Sequence, residues 1–397
     1  MTLGQTAHVP ISRDDAAALD ADDPLAPWRD EFLVPDAQLI YLDGNSLGRP
    51  PRRSVERIER VLRDEWAGEL IAGWQHWLHE PSRVGEMLAP LIGARPGEVV
   101  VHDSTTVNLY QLVHAGLAMH PERRTVLVAD GEFPTDRYVV HGVAAATGHR
   151  VGDLSEGLHD DVALVVRSLV DYRTAELADL AGFTASARAA GATVLWDLSH
   201  AAGAVELDLH GAGAELAVGC TYKYLNGGPG SPAWSYVAAH LQPVLDQPMW
   251  GWFAQQDQFE MERPFDPHPD IRRLLLGTPA ILSLAGAEGG IALTAEVGMP
   301  AIAAKGRALT GLLLELCDEL GLPTSTPRDA DRRGTHVAVL HPRAGELVQR
   351  LASERNIVAD YRPPDVIRLG CSALTTRYVD VWDAAHAVAE AGRGHLP

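Results

Sequence analysis

Two stretches near the middle of the chain carry residues that could do chemistry. The apolar run 192–196 leads into Asp197 and His200, and the run 215–220 leads into Tyr222 and Lys223. Short apolar runs that end in polar groups are typical of parallel strands at their carboxyl ends. Ligands of open α/β sheets bind at those ends. We therefore expect an acid, an imidazole, a phenol and an amine to converge on one ligand crevice.

A lysine and a carboxylate at neighbouring strand ends match the needs of pyridoxal phosphate. Lysine can hold a carbonyl cofactor as a Schiff base, and a carboxylate pairs with the pyridinium nitrogen of this cofactor. Lys223 would hold the cofactor and later move protons, while Asp197 would keep the ring nitrogen protonated. Each residue alone has a simpler interpretation, because an Asp at a strand end is often a cap or turn residue and a Lys is usually solvated.

The stretch 99–113 predicts an anion site. Residues 99–101 have the pattern of a strand, Ser104, Thr105 and Thr106 form a polar turn, and the apolar spacing of residues 108–113 predicts a helix. Free amides and hydroxyls at a helix N-terminus bind phosphate groups well. The alternative is that Ser104 or Thr105 only caps the helix.

The elements around these residues predict an α/β protein with a mostly parallel sheet. Apolar runs at 125–130 and 163–166 alternate with helical patterns, as in βαβ units. A long helical pattern covers 282–316, and strand and helix patterns alternate in the tail up to a final helix at 379–391. We expect an N-terminal segment at 1–50, a large cofactor-binding domain at 51–299 and a small α+β domain at 300–397, with the N-terminal segment packing on the small domain.

Composition excludes several classes of function. The 397-residue chain has a formal net charge of −20, which repels nucleic-acid phosphates. It has no basic amphipathic stretch for a membrane surface and no apolar run of membrane-spanning length. Three cysteines are too few for a disulfide framework, and residues 1–5 do not open a secretory signal, so we expect a cytoplasmic protein. His76 and His79 lack a third ligand at metalloprotease spacing, so no metal is predicted.

Motifs across the chain resemble those of kynureninases, which are pyridoxal-phosphate enzymes with the class V aminotransferase fold. The matching segments, with their sequences, are 41–48 (YLDGNSLG), 103–109 (DSTTVNL), 133–136 (FPTD), 197–200 (DLSH), 222–230 (YKYLNGGPG), 277–279 (GTP) and 366–368 (VIR). The resemblance implies the fold type I architecture of these enzymes and a homodimer with shared active sites. It also implies hydrolysis of the Cβ–Cγ bond of kynurenine, which gives anthranilate and alanine.

The resemblance also implies a role for each matching residue. Lys223, Tyr222 and Asp197 would be catalytic, and Arg368 would bind the substrate carboxylate with its planar fork. Trp252 and Thr278 would reach the cofactor from the partner subunit. The full set expected to bind the cofactor is Thr105, Thr106, Phe133, Asp136, Ser168, Asp197, His200, Tyr222, Lys223, Trp252 and Thr278.

The chain departs from the family after Trp252. Kynureninases usually carry Gly-His soon after a Gly-Trp pair, whereas this chain has FAQQD at 253–257. The preferred substrate could therefore be kynurenine or a ring-substituted kynurenine. One alternative function is a cysteine desulfurase or β-lyase on the same fold, although none of Cys220, Cys317 and Cys371 is placed like the mobile thiol that desulfurases need. The other is a homologue without activity that binds a ligand or a partner.

Overall fold

A seven-stranded sheet forms the centre of the computed structural model, which describes residues 10–261 and 264–393. The expectation about residues 1–5 lies outside the described residues. The strands in chain order are β1 Ile40–Tyr41, β2 Val99–His102, β3 Thr125–Val128, β4 Arg150–Gly152, β5 Val162–Ser168, β6 Thr193–Asp197, β7 Leu216–Gly219, β8 Ala233–Val237, β9 His336–Leu340, β10 Ile357–Val358, β11 Asp360–Arg362 and β12 Val366–Gly370.

The order of the large sheet is β2-β8-β7-β6-β5-β3-β4. β8 runs antiparallel to both of its neighbours, and the neighbouring pairs from β7 to β4 are parallel. The predicted α/β class with a mostly parallel sheet is therefore confirmed. Residues of β5 to β7 are almost all buried, which is why these strands appear in the sequence as continuous apolar runs.

Helices cover both faces of this sheet and form much of the remaining chain. In chain order they are α1 Arg13–Ala21, α2 Arg52–Arg60, α3 Ala67–Glu69, α4 Trp74–Trp77, α5 Glu80–Leu88, α6 Thr105–Ala118, α7 Pro134–Thr147, α8 Leu180–Ala189, α9 Ile281–Val297, α10 Met299–Leu320, α11 Ala344–Arg355 and α12 Tyr378–Arg393. A π-helical turn at Val61–Trp66 extends α2.

The long helix predicted over 282–316 is wrong in one respect, because α9 and α10 meet at a bend of 87°. Gly298 separates them with a φ of +87°, a conformation that side chains with a Cβ disfavour, and Pro300 follows in the first turn of α10. No single helix of the described residues is long and apolar enough to cross a bilayer, and only this bent pair passes a test of length and composition.

A second sheet, β11-β12-β9, lies in the C-terminal part of the chain and is antiparallel. The N-terminal segment contacts this part closely. β1 pairs with β10, the Asp20 carboxylate accepts from the amides of Tyr378 and Val379, and Asp23 forms an ion pair of 2.6 Å with Lys305 on α10. The side chains of Asp23 and Lys305 are only 4% and 7% exposed, so each charge relies on the opposite charge to offset its loss of hydration.

We expect Lys305→Met to lower the free energy of unfolding by about 3 kcal/mol, because it leaves the buried Asp23 carboxylate without a counter-charge. The double variant Lys305→Met/Asp23→Leu should recover most of that loss. As a matched control, Arg332→Met breaks the exposed pair with Glu176 and should cost less than about 1 kcal/mol. Urea unfolding of the four proteins measures these differences, and an equal loss for Lys305→Met and Arg332→Met would contradict the expectation.

Candidate active site

Lys223 lies in a tight turn after β7, and its side chain is buried. The turn is fixed by hydrogen bonds from the Gly227 amide to the Thr221 carbonyl at 2.8 Å and from the Gly48 amide to the Tyr222 carbonyl at 2.8 Å. The Lys223 amine lies 3.3 Å from Nε2 of His200 and 5.9 Å from the centre of the Phe133 ring. Because the backbone is held on both sides, the amine has a defined position.

Three buried carboxylates come from the end of β6, the segment after β3 and the first turn of α7. Asp197 ends β6 and accepts from the Ser199 amide at 2.7 Å. Ser168, its register partner on β5, donates its amide to Glu132 at 2.9 Å. Asp136 on α7 is 1% exposed, and neither of its carboxylate oxygens has a hydrogen-bond partner in the described structure.

The burial of these groups changes their ionisation. Burial raises the pKa of Asp136 well above its usual value, and the neighbouring Asp197 and Glu132 carboxylates raise it further. Burial lowers the pKa of His200, and the nearby Lys223 amine lowers it further, so this imidazole is neutral at pH 7. Burial likewise raises the pKa of Tyr222 above its usual value, so its phenol keeps its proton.

The N-terminus of α6 faces the same site. Ser104 is the N-cap and accepts from the Val107 amide at 3.4 Å. Thr105 and Thr106 are then the first two helical residues, whose amides have no acceptor within the helix. The two interpretations of this turn are thus compatible, since Ser104 caps the helix while the first amides remain available to an anion.

A cavity of about 430 Å³, including the space that opens to solvent, joins these groups. Its lining comprises Thr105, Thr106, Phe133, Thr135, Asp136, Ser168, Asp197, Ser199, His200, Tyr222 and Lys223. Nine of the sequence-predicted residues are therefore brought together. Trp252, Thr278 and Arg368 are outside this lining. Trp252 and Thr278 are exposed in the single chain, whereas Arg368 is buried.

The residues of the cavity fit pyridoxal phosphate. Lys223 supplies the amine to which an aldehyde can attach. The unpartnered oxygens of Asp136 and the adjacent Asp197 form a buried acidic wall that suits a protonated ring nitrogen. The Phe133 ring offers an apolar face, and the start of α6 offers amides and hydroxyls for a phosphate.

Arg368 on β12 is buried beside the same region, in a set of contacts that the sequence analysis did not find. Its Nε donates to Oδ1 of Asp360 at 2.7 Å and its Nη2 to Oδ2 of the same carboxylate, while its Nη1 donates to the Tyr172 carbonyl at 2.6 Å. Nη2 also lies 3.2 Å from Oγ of Ser46. Asp360 and Glu132 lie outside the matching segments, and Ser46 lies in the segment 41–48 without an assigned role, so only the contacts identify them.

The chain is similar in sequence, along nearly its whole length, to proteins named kynureninase. A family model described as the kynureninase C-terminal domain matches residues 302–388. The chain is 42% identical over 395 residues to kynureninase of Burkholderia pseudomallei strain 1106a, covering 95% of this chain and 94% of that protein. It is 41% identical over 397 residues to kynureninase of Pseudomonas fluorescens, covering 96% and 95%.

Similar solved structures agree on the fold. The apo cysteine desulfurase of Thermococcus onnurineus NA1 matches with a TM-score of 0.80 at 18% identity, covering 93% of this chain and 98% of that one. A mutant of C-DES with glycine covalently linked to its pyridoxal-phosphate cofactor matches with a TM-score of 0.80 at 19% identity, covering 91% and 99%. At these identities the likeness concerns the fold alone, and it confirms the predicted class V architecture.

We expect Asp136→Asn to stabilise the cofactor-free protein by about 1–3 kcal/mol at pH 8.5, because it removes a buried charge that lacks a partner. An acid whose folded-state pKa is raised holds its proton more tightly when folded, so its destabilising effect grows as pH rises. The advantage of the variant should therefore shrink at pH 6. Urea unfolding at both pH values measures it, with Asp130→Asn, whose side chain is 89% exposed, as the control. A gain that is the same at both pH values, or that Asp130→Asn also gives, would contradict this account.

Proposed function

The chain belongs to the kynureninase family, and on that premise we propose that it hydrolyses L-kynurenine or a ring-substituted kynurenine in the cavity around Lys223. It is a pyridoxal-phosphate-dependent hydrolase of a carbon–carbon bond. Water supplies the hydroxyl that the acyl carbon gains and the proton that Cβ gains, giving anthranilate or its derivative and L-alanine. The observation that carries this conclusion is the identity of 41–42% along nearly the whole chain.

We propose that the lining residues divide into those that bind the cofactor and those that move protons. Pyridoxal phosphate, when bound, supplies a carbonyl for an amine and an electron sink for charge at the substrate Cα. Lys223 is the attachment point, Asp197 with Asp136 faces the ring nitrogen, and Phe133 packs on the ring. The phosphate is bound by Thr105, Thr106 and Tyr222, and Ser168 and His200 complete the polar surroundings.

The Lys223 amine and the Tyr222 phenol are the groups proposed to transfer protons. Lys223 is buried next to His200, which is neutral because burial lowers its pKa. The Lys223 amine can therefore take a proton from the substrate Cα and return it, since the imidazole beside it carries no positive charge. Burial keeps the Tyr222 phenol protonated, which makes it a suitable proton donor or relay for the later steps. Arg368, buried near His200, would bind the substrate carboxylate.

The desulfurase alternative has less support, although solved desulfurases share the fold. Cys220, Cys317 and Cys371 are all buried. Burial raises the pKa of Cys317 and of Cys371 to about 12 and also raises the pKa of the Cys220 thiol. A thiol in that state is a poor nucleophile, and none of the three lines the cavity around Lys223.

We also propose a homodimer in which Trp252 and Thr278 of one chain complete the partner's site. In the single chain the Trp252 ring is 43% exposed. Thr278 borders a groove of about 780 Å³, including open space, whose walls carry Trp66, Leu282 and other apolar groups. Exposed apolar patches of this kind usually mark interaction surfaces.

We also propose a cytoplasmic location, a metabolic pathway and a division of the chain into domains. Three free, buried thiols suit a reducing cytoplasm, and a kynurenine substrate suits a step of tryptophan catabolism or of a biosynthetic branch. The segments 1–50, 51–299 and 300–397 are the proposed units. The pairing of β1 with β10 and the bend between α9 and α10 support them.

Holoenzyme incubated separately with L-kynurenine and 3-hydroxykynurenine should release the corresponding aromatic acid, followed by its absorbance or fluorescence. Lys223→Ala should lower that rate by about a thousandfold or more, because it removes both the cofactor attachment and the proton carrier. Borohydride reduction and peptide mapping should find the cofactor on the peptide of Lys223 in the wild type. Faster release of sulfide from cysteine than of anthranilate from kynurenine, or a label on another lysine, would overturn the proposal.

Mixing two inactive variants tests the shared site. Thr278→Glu should repel the cofactor phosphate, and Lys223→Ala should lack the amine, so each homodimer alone should be nearly inactive. A hybrid dimer contains one site with Lys223 and Thr278 both intact, from different chains. Activity regained after the two proteins are mixed under exchange conditions is therefore expected, up to about a quarter of the wild-type value for random pairing. No regain, despite exchange verified by mass spectrometry, would contradict shared sites.

A further inference from the structure

His336 is a fully buried imidazole at the start of β9. It is not among the residues proposed to bind the cofactor, transfer protons or bind the substrate. It is 0% exposed, and neither of its ring nitrogens has a hydrogen-bond partner in the described structure. The carbonyl of Arg173 is near enough to raise its pKa, but it is not positioned for a hydrogen bond. Buried ring nitrogens without partners are unusual, because burying them without a hydrogen bond costs free energy.

The strand register directs His336 toward the site. β9 and β12 are antiparallel, with His336 opposite Gly370 and Ala338 opposite Arg368. Residues that face each other across a ladder project to the same side of a sheet, so His336 and Arg368 are diagonal neighbours on one face. A Cβ on Gly370 would clash with the Asn45 amide, so Asn45 fills the space beside that glycine and packs next to the same face of the sheet.

The same ring is close to the residues around the cofactor amine. Its centre lies 6.0 Å from the centre of the His200 ring, and His200 contacts the Lys223 amine at 3.3 Å. Burial lowers the pKa of His336 to about 3, with the positive charges of Arg368 and Lys223 adding to the effect and the Asp360 carboxylate opposing it. His336 is therefore neutral at pH 7 and offers one N–H donor and one acceptor between Lys223 and Arg368.

Arg368 alone has little hydrogen-bonding capacity left for a substrate. Four hydrogen bonds already use its guanidinium: two go to Asp360, one to the Tyr172 carbonyl and one to Ser46. The amide oxygen of Asn45 shares the same Nη2 and Nε donors at 3.0 and 3.2 Å. A guanidinium has five N–H groups, so about one remains. An amino-acid carboxylate has two oxygens that each need donors when water is removed, and a second donor is therefore required beside Arg368.

We propose that His336 supplies this donor, so that the imidazole and Arg368 together bind the α-carboxylate of the amino-acid substrate. This inference rests on the proposed function and identifies a specificity-determining residue for it. It gives a partner to one of the two ring nitrogens that lack one in the protein. It also explains why a neutral ring suffices, because Arg368 supplies the counter-charge.

The test compares a substrate that has the α-carboxylate with an inhibitor that lacks it, so that loss of carboxylate binding can be told from a general loss of binding or of chemistry. We compare His336→Leu, which has no donor, and His336→Gln, which restores an N–H, with the wild type. Steady-state rates with L-kynurenine give kcat and KM, and competition by kynuramine, which is kynurenine without its carboxylate, gives an inhibition constant. His114→Leu removes another imidazole whose Nε2 lacks a partner, on a helix away from Arg368, and serves as the control.

His336→Leu should raise KM for L-kynurenine by about tenfold to a hundredfold, the effect of losing a hydrogen bond to a charged group. It should change kcat by less than about threefold, as expected for lost uniform binding, and leave the inhibition constant of kynuramine unchanged. His336→Gln should recover part of the loss in KM, and His114→Leu should resemble the wild type. An unchanged KM, a fall in kcat alone, or equal weakening of kynurenine and kynuramine would overturn the inference.

If the proposed function is wrong, wild-type holoenzyme will release no aromatic acid, a result distinct from any effect of the His336 variants. In that case spectral titration of the bound cofactor with L-alanine and with ethylamine still tests His336. Weaker binding of L-alanine but not of ethylamine by His336→Leu would support the donor role, and equal binding of both ligands to variant and wild type would reject it.

Discussion

The site depends on the requirement that every buried charge be balanced by a partner. Lys223 brings one positive charge into the interior, Asp136 and Asp197 bring potential negative charges to the wall of the same cavity, and Glu132 is buried nearby. The carboxylates outnumber the amine, and the Asp136 oxygens have no hydrogen-bond partner in the described structure. Such a wall is costly by itself, which supports the proposal that the protonated ring of the cofactor binds against it.

The parallel strands make this concentration of charge possible. β5, β6 and β7 end side by side, so Ser168 and Asp197 lie in register and Lys223 follows in the next turn. Buried apolar strands fix these ends rigidly, and the turns that follow them hold the Lys223 amine 3.3 Å from the His200 ring. The sheet therefore explains how the cavity keeps its polar groups in fixed positions.

The second sheet supplies Arg368 and His336, the two residues proposed to bind the substrate carboxylate. Arg368 crosses from β12 toward the large sheet and is fixed by Asp360 from the neighbouring strand. His336 comes from β9 on the other side of β12. Packing between the two sheets thus brings together residues far apart in the chain. The Arg368 guanidinium donates to the Tyr172 carbonyl, which follows β5, and the centre of the His336 ring lies 6.0 Å from that of His200.

Sequence alone determined the class of fold, the strands that end at the site and the cofactor, because apolar runs and local motifs are properties of neighbouring residues. It also indicated Lys223, Asp197 and the Ser104–Thr106 turn. It did not predict β8 or the bend at Gly298, since a continuous apolar pattern does not record where the axis turns. Only the tertiary structure joined Asp360 to Arg368 and left His336 unpaired, because strand register and sheet packing set contacts between segments with no sequence relation.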